Sequence, residues 1–330
     1  MAGSVTVRDV AKAASVSAAT VSRVLTSPEI VAVGTKARVM AAIENLGYQG
    51  GSTAAVATKT RTGNIGLVVP DLENPYFASV TKGVQARALA LGYFALVADS
   101  DEDPRSELDL ARRLRPQVDG LILCSARMPD ADLLECAQDP TIVLVNRRLE
   151  GVTSLFVDDT EIIRQALGHL YALGHRHVAY AGGPTGSWSD RQRRLGIEAV
   201  VAECPALTVT SLGAFAPVFD GGLSAADQAL ATTATAVLAY NDLIALGVLA
   251  RLRSRGVDVP GQMSVVGIDD INAASLVSPA LTTVRAPLRR VGSVSVNLLM
   301  DCIESGASVR PVEPIQIQLV VRASTGVPAP

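Results

Sequence analysis

The chain has few aromatic residues, few cysteines and no long uninterrupted apolar run. Aromatics make up 4% of its 330 residues, with a single Trp, although 48% of the residues are hydrophobic. A sizeable core must therefore be built from aliphatic side chains. Because about 18 consecutive apolar residues are needed to cross a bilayer, a membrane span is not expected. The start of the chain also lacks the apolar stretch of a secretory signal, which predicts a cytoplasmic protein.

Metal and catalytic motifs are missing as well. The cysteines at 124, 136, 204 and 302 do not follow a metal-ligand spacing, and we interpret them as buried free thiols of a reducing cytoplasm. Gly182–Ser187 lacks the lysine of a phosphate loop, and no G-x-S-x-G nucleophile elbow occurs. The histidines are not accompanied by a cluster of Cys or carboxylates. The sequence therefore predicts a protein that is not an enzyme and that needs no metal or cofactor.

Positive charge is concentrated at one end of the chain. The total charge is −3, which alone argues against nucleic acid as a partner. Residues 1–61, however, hold seven basic and three acidic residues, a net charge of +4, which leaves −7 for the remainder. A small basic head on an acidic body is the distribution that local phosphate binding requires.

Two short helices joined by a tight turn are predicted within that basic end. Thr6 can cap the first helix, and Asp9 three residues later can complete a variant of the capping box. Ser17 can cap the second helix, in which Val21 and Val24 share one side. So short a break between two helices predicts helix-turn-helix geometry, in which the second helix enters the major groove of DNA.

The outward side of the second helix carries suitable chemistry for DNA. Arg23 can donate a pair of hydrogen bonds to guanine, and Ser17, Thr20 and Ser22 can bond phosphates or bases. Ala18 and Ala19 can at most touch thymine methyl groups. An ordinary helical hairpin with a solvated polar side is the structural alternative. A third helix is predicted from near Thr35 to Leu46, with an inner stripe at Val39, Ala42, Ile43 and Leu46.

From Asn64 onward, short apolar runs alternate with helical segments. This alternation predicts parallel sheets covered by helices on both faces. The runs are too numerous for one small sheet, so we expect two tandem α/β lobes, near 62–160 and 161–290. Ligands of such sheets bind beyond the C-terminal ends of the strands, which here defines an interlobe cleft that a hinge can close.

The residues of the basic end belong to a familiar pattern. Residues 6–25 read TVRDVAKAASVSAATVSRVL and residues 38–48 read RVMAAIENLGY. Both segments resemble the headpiece of the lactose-repressor (LacI/GalR) family of bacterial transcription regulators. Residues 65–77, IGLVVPDLENPYF, resemble the opening strand and first pocket loop of the periplasmic sugar-binding-protein fold that this family shares. The resemblance adds Thr6, Val7 and Ala57 to the expected DNA contacts.

The resemblance also implies a domain organisation. A helix-turn-helix domain would span 1–49, a hinge 50–62, and an effector-binding and dimerisation core 63–330. Within the core, the first lobe would comprise about 63–160 plus 291–320, and the second about 161–290 plus 321–330. The hinge departs from the family, because Gly50, Gly51 and Ala57 replace its usual Pro, Asn and Leu. We therefore expect a less stable hinge helix and a weaker minor-groove wedge.

Polar and aromatic side chains at the strand ends define the expected effector site. Spacing and resemblance together select nine residues: Tyr76, Phe77, Asn146, Arg147, Trp188, Arg193, Phe215, Asn241 and Asp269. Carboxylates can accept hydroxyl hydrogens, while arginine and amide groups can bond ring or hydroxyl oxygens. Asn146 departs from the Asp that is common in the family at this position, and Asn74 can simply shape the turn before Pro75.

The predicted protein is a transcription regulator, specifically a repressor. As a homodimer or tetramer it would bind a pseudo-palindromic double-stranded DNA operator. A small-molecule effector in the cleft, a sugar first and a purine or another metabolite next, would control operator affinity. The alternative is a small-molecule sensor with impaired or lost DNA binding. A sugar-metabolising α/β enzyme is a third possibility, for which the sequence offers no catalytic constellation.

Overall fold

The computed structural model describes residues 6–26, 31–46, 61–305 and 315–329. The chain divides into two compact units, Met1–Arg61 and Thr62–Pro330. Most of the predicted hinge, 50–60 with Ala57, lies outside the described residues. None of the helices in the described ranges is long and apolar enough to cross a membrane.

The N-terminal unit is a bundle of short helices: α1 (Val7–Ala13), α2 (Ala18–Thr26) and α3 (Val33–Leu46). A small aliphatic core holds it together, made of Val10, Ala11, Ala14, Val21, Val24, Val39 and Ala42. The predicted inner stripe of α3 is correct at Val39 and Ala42 but wrong at Leu46, which is 37% exposed. Leu46 is the last residue of α3, one turn beyond the part that packs into this core.

The first lobe of the larger unit is built on a fully parallel sheet. Its strands are β1 (Asn64–Val69), β2 (Phe94–Asp99), β3 (Gly120–Cys124), β4 (Ile142–Val145) and β5 (Ser154–Leu155). Their order is β2-β1-β3-β4-β5, and every neighbouring pair is parallel. Helices α4 (Pro75–Ala90), α5 (Pro104–Leu114) and α6 (Asp130–Cys136) connect these strands. The central strands are almost wholly buried, which explains their continuous apolar sequence.

The second lobe repeats this design with helices α7 (Asp159–Ala172), α8 (Trp188–Glu203), α9 (Phe219–Leu230), α10 (Asp242–Ser254) and α11 (Asn272–Leu276). Its strands are β6 (His177–Gly182), β7 (Thr208–Ala214), β8 (Ala236–Ala239), β9 (Ser264–Asp269), β10 (Thr282–Arg285) and β11 (Gln318–Val320). Their order is β11-β10-β9-β8-β6-β7. Only the β10–β11 pair is antiparallel among these described strands.

The lobes are discontinuous in sequence, since the chain passes between them more than once. After β10 the chain returns to the first lobe as α12 (Leu288–Ser305), which packs on α4. Glycines allow this close approach: a Cβ on Gly83 would lie 2.1 Å from the carbonyl oxygen of Arg289, and one on Gly292 would lie 2.2 Å from that of Val80. Strand β11 is already part of the second sheet at Gln318, slightly before the expected return at 321.

These features confirm the predicted α/β class with a helix-turn-helix region and two parallel-sheet lobes. The prediction for the thiols was wrong in part. All four cysteines are free, but only Cys124 and Cys302 are buried, whereas Cys136 and Cys204 are partly exposed. Cys136 is the last residue of α6, and Cys204 directly follows α8, so both sit at helix ends near solvent.

Candidate nucleic-acid interface and ligand cleft

The start of α1 is fixed by the predicted capping box. The backbone N–H of Thr6 donates to Oδ2 of Asp9 at 2.8 Å, and the Thr6 hydroxyl donates to the same oxygen at 2.6 Å. In return, the N–H of Asp9 donates to the Thr6 hydroxyl oxygen at 3.4 Å. These hydrogen bonds with Thr6 lower the pKa of Asp9. The cap satisfies free N–H groups at the helix start and sets the direction in which α1 leaves.

The turn between α1 and α2 requires a left-handed backbone. Ser15 has φ of 55°, a conformation that glycine adopts at lower cost. The N–H of Val16 closes the turn on the carbonyl of Ala11 at 3.0 Å. Ser17 then caps α2 as predicted, accepting from the N–H of Thr20 at 3.1 Å, and the two hydroxyls are 2.9 Å apart. The turn therefore fixes how α2 follows α1.

One side of α2 packs inward and the other is open. Val21 and Val24 are 0% and 3% exposed and lie in the core of the bundle. Thr20 and Val7 are half-buried. The other described residues of the predicted DNA-binding set are exposed: Thr6, Ser17, Ala18, Ala19, Ser22 and Arg23. Because 18, 19, 22 and 23 repeat at helical spacing, they form one continuous face. Ala57 lies outside the described residues.

The ligand cleft lies where both sheets reverse their winding direction. In the first sheet, β1 has β2 on one side and β3 on the other, and in the second sheet, β6 lies between β7 and β8. Segments following these strands line a cleft of about 590 Å³ of empty space, counted to its opening. Such switch points are the usual ligand sites of open α/β sheets.

The first-lobe wall contains a buried hydrogen-bonded group. Asn146 donates from Nδ2 to the hydroxyl of Tyr76 and, at 3.2 Å, to the hydroxyl of Ser125. Phe77 meets the Tyr76 ring edge-on, with ring centroids 5.1 Å apart. Burial raises the pKa of Tyr76 well above its ordinary value. Asn74 also lines the cleft, but its side-chain oxygen Oδ1 caps α4 by accepting from the N–H of Tyr76 at 3.0 Å.

The second-lobe wall is organised by a buried ion pair. Arg193 donates from Nε to Oδ1 of Asp159 at 2.8 Å, and their side chains are 8% and 4% exposed. The guanidinium also donates to the carbonyl of Tyr240 and stacks on its ring, with Cζ 4.6 Å from the centroid. Burial alone would lower the pKa of Arg193, but Asp159 and other groups nearby raise it above its ordinary value. Burial raises the pKa of Asp159, against the lowering influence of Arg193.

Asn241 and Asp269 complete the predicted polar set in the cleft. Asn241 caps α10 by accepting from the N–H of Ile244 at 2.9 Å, and its Nδ2 donates to the carbonyl of Pro217 at 2.9 Å. Asp269 is 8% exposed, and its carboxyl group makes no hydrogen bond to any described residue. Burial, and then the neighbouring Asp242, raise the pKa of Asp269 well above its ordinary value. Its oxygens are therefore available to a ligand that donates hydrogen bonds.

Three predicted effector residues lie outside the cleft lining. Arg147 is buried, but it turns away to pair with Asp130. Trp188 begins α8 and meets Phe156 edge-on, with ring centroids 5.7 Å apart. Phe215 is 9% exposed and packs into the core of the second lobe. The structure thus brings together six of the nine predicted residues: Tyr76, Phe77, Asn146, Arg193, Asn241 and Asp269.

Sequence reasoning missed six polar groups of the cleft: Glu102, Ser125, Arg127, Asp159, Ser189 and Tyr240. Ser125 and Tyr240 each directly follow a buried strand, the same signal that selected Asn146. Glu102 and Arg127 come from loops, and no periodicity marks them. No group of three or more His, Cys, Asp and Glu in the described ranges could hold a metal ion.

Comparison with known proteins agrees with both parts of the molecule. A family model for bacterial regulatory proteins of the lacI family matches residues 6–50, and one for a periplasmic binding protein-like domain matches 167–325. The HTH-type transcriptional regulator GalR of Escherichia coli (strain K12) is 32% identical over 332 residues, which cover 98% of this chain and 96% of that protein. The HTH-type transcriptional repressor CytR of the same strain is 29% identical, over 97% of this chain and 96% of that protein.

Solved structures extend the likeness to three dimensions. The transcriptional regulator CelR–cellobiose complex superposes with a TM-score of 0.71 at 28% identity, covering 97% of this chain and 99% of that one. The lac repressor dimer bound to operator and the anti-inducer ONPF has a TM-score of 0.73 at 26% identity, covering 98% of this chain and 100% of that one.

The chain therefore belongs to the lacI family of bacterial regulatory proteins. It is a DNA-binding transcription regulator with a periplasmic-binding-protein-like core, and the predicted family and function class are confirmed.

Proposed function

We propose that this regulator binds a pseudo-palindromic operator as a dimer and that a sugar in the cleft controls its affinity for that operator. One observation carries the proposal: a single chain combines an exposed helix face of small, hydroxyl and arginine side chains with a cleft walled by both lobes. We assign DNA binding to 1–49, the hinge to 50–62 and effector binding to 63–330.

The exposed side of α2 supports direct base reading. Arg23 projects from the same face as Ala18, Ala19 and Ser22, so small side chains allow the helix to approach the bases beside one arginine donor pair. The Ser17 cap supplies helix-start N–H groups for a phosphate. We place Thr6 and Val7, at the beginning of α1, on the DNA backbone, and Ala57 in the minor groove.

The cleft supports a hydroxyl-rich effector. Asp269 offers unpaired acceptor oxygens, while Arg193 supplies donors. Tyr76, Phe77 and Tyr240 give flat surfaces for a ring. Two related structures contain sugars, the CelR–cellobiose complex and a regulator from Enterococcus faecium with bound ribose at 26% identity. A sugar is therefore the first ligand class to test, followed by purines and other small metabolites.

A twofold dimer would present two headpieces to two half-sites, since operator symmetry mirrors protein symmetry. The first lobe offers a surface for a second copy. Edge strand β2 exposes Phe94 at 68%, and the neighbouring end of α4 exposes Leu89 at 66%. Binding of chromosomal DNA would take place in the cytoplasm.

A DNA-selection experiment tests the proposal. Purified full-length chain is allowed to select from random inverted-repeat duplexes, and the enriched duplex is titrated by fluorescence anisotropy at several salt concentrations. We expect a sequence preference whose affinity falls with salt and shifts on adding a sugar. A protein that binds sugar but prefers no duplex would instead be a sensor without DNA binding, the alternative raised by the unusual hinge sequence.

A further inference from the structure

Arg127 occupies a position in the first-lobe wall that motif reading did not anticipate. It follows β3, its side chain is 4% exposed, and it lines the cleft. The guanidinium forms a forked pair with Glu102, from Nε at 2.6 Å and from Nη2 at 3.0 Å. A third bond runs from Nη1 to the carbonyl of Ser125 at 3.0 Å. Since a guanidinium has five N–H donors, two remain available after these bonds.

Three neighbouring segments fix this arginine. Asp101 and Glu102 both have left-handed backbones, with φ of 52° and 56°, an arrangement that side-chain-bearing residues rarely adopt twice in succession. The N–H of Glu102 bonds the carbonyl of Pro70 at 2.8 Å, which helps to hold this loop. From α5, the buried Glu107 accepts the backbone N–H groups of Arg127 and Met128, both at 2.8 Å. A strained, multiply anchored carboxylate aimed at one cleft arginine is typical of a binding site.

Charge balance across the cleft defines what such an arginine can bind. Glu102 matches the charge of Arg127 on one wall, and Asp159 matches that of Arg193 on the other. The remaining carboxyl, Asp269, has no cationic partner within salt-bridge distance in the described chain. The walls therefore supply many donors and acceptors without net positive charge. That combination suits a neutral ligand rich in oxygen atoms and disfavours an anion.

We propose that Arg127 is a specificity-determining contact of the first lobe, which donates to an oxygen of a neutral polyhydroxyl effector and, through its pair with Glu102, rejects the corresponding acid. The proposal rests on the proposed function, because it concerns the effector of the same cleft. Glu102 is a positioning residue, since it acts through Arg127. Gly186 of the second lobe lies close to the backbone of Arg127, because an added Cβ would stand 3.5 Å from the carbonyl oxygen of Arg127.

The test is a binding panel of neutral sugars and matched sugar acids measured by isothermal titration calorimetry on the full chain. The probes are D-glucose, D-galactose, D-ribose and cellobiose, with D-gluconate and D-galacturonate as the acids. The variants are Arg127→Met, Arg127→Lys and Glu102→Gln. The chain offers a matched control in the same lobe, because Arg112 and Glu135 form a similar pair, with both side chains 52% exposed. Arg112→Met and Glu135→Gln should bind every probe as the unchanged protein does.

For the neutral sugar that binds best, we expect Arg127→Met to weaken affinity roughly 10- to 100-fold, the loss of a charged donor. The affinity of Arg127→Lys should lie between those of Arg127→Met and the unchanged protein, because lysine keeps the positive charge but lacks the forked donor geometry of the guanidinium. Glu102→Gln should raise the ratio of acid to neutral affinity about tenfold or more, since it leaves the guanidinium charge unmatched. The melting temperature of each ligand-free variant checks folding. If Arg127→Met unfolds, the Arg127→Met/Glu102→Gln double variant, which leaves no unpaired charge, replaces it.

Equal neutral-sugar affinity in Arg127→Met and the unchanged protein would overturn the proposal, and so would an unchanged acid-to-neutral ratio in Glu102→Gln. An unchanged protein that prefers an acid would also overturn it. If the unchanged protein binds no probe at all, the sugar assignment of the proposed function fails together with this one. If it binds a sugar that Arg127→Met binds equally well, only the role of Arg127 fails.

Discussion

The buried pair between Arg193 and Asp159 provides a quantitative test of how the cleft is built. Arg193→Met keeps an apolar stem of similar length but removes the guanidinium. It thereby deletes the 2.8 Å bond to Asp159, the donor to the carbonyl of Tyr240 and the stack on that ring. Asp159 then stays 4% exposed without a cation. Breaking a buried pair in this way costs about 3–5 kcal/mol of unfolding free energy.

The pH dependence of that loss follows from Asp159. Burial already raises its pKa, and Arg193 is the largest influence that lowers it. Without Arg193 the folded-state pKa rises further above the unfolded value of about 3.9. An acid whose pKa is raised by folding loses stability as pH rises through that folded pKa. Arg193→Met should therefore be more destabilised at pH 8 than at pH 5.

Urea unfolding at those two pH values measures the effect. Trp188 is the only tryptophan of the chain and begins α8, the helix that carries Arg193, so its fluorescence reports on this lobe. Asp159→Asn and the double variant complete a thermodynamic cycle, in which the double variant should recover part of the loss. A deficit below about 1 kcal/mol at both pH values, or one that ignores pH, would refute the reasoning that this pair is buried and coupled.

The remaining predictions concern base reading, helix packing, the turn and a buried acid. Arg23→Ala should weaken operator binding by about 1–3 kcal/mol and relax the preference at one base pair per half-site, whereas equal weakening on every sequence would show a phosphate contact instead. Gly83→Ala should destabilise the core by about 1–3 kcal/mol, because its Cβ would lie 2.1 Å from a carbonyl oxygen of α12, while Gly168→Ala, with nothing within 4 Å, should be neutral or stabilising in thermal unfolding. Ser15→Gly should stabilise the headpiece by up to about 1 kcal/mol, measured by helix melting, because glycine adopts the positive φ without a Cβ clash. Burial raises the pKa of Asp242 to about 7, so stability should fall as pH rises from about 4 to about 7, and Asp242→Asn should flatten that part of the thermal-denaturation profile.

Local sequence patterns were sufficient for the headpiece. The capping pair of Thr6 and Asp9, the Ser17 cap and the inward Val21 and Val24 are all present, because each depends on neighbours within a few residues. The prediction that Leu46 lies on the inner side of α3 was wrong, because its burial depends on where α3 ends relative to the other helices. The sequence pattern does not locate those helices. The alternation of strands and helices predicted the two-lobed class for the same reason, because each strand and helix is recognised from a short stretch of sequence.

The cleft was less predictable from sequence alone. Asn146 directly follows buried strand β4 and Asp269 is the last residue of buried strand β9, and strand ends meet at one edge of a parallel sheet, so their position could be inferred. Arg147 is the very next residue after Asn146 but does not line the cleft, because its side chain pairs with Asp130 instead. Arg127 was missed because its placement depends on Glu102 and Glu107, which are distant in sequence. Side-chain direction in loops is decided by tertiary partners.

The most direct test of effector-controlled operator binding is the affinity of the full-length chain for its selected inverted-repeat duplex, measured with and without the sugar that binds the cleft. We expect a sequence-specific, salt-sensitive complex whose affinity changes about 5- to 150-fold with the sugar, and no such change in Arg193→Met. Binding that ignores DNA sequence, or that is the same at every sugar concentration, would contradict it.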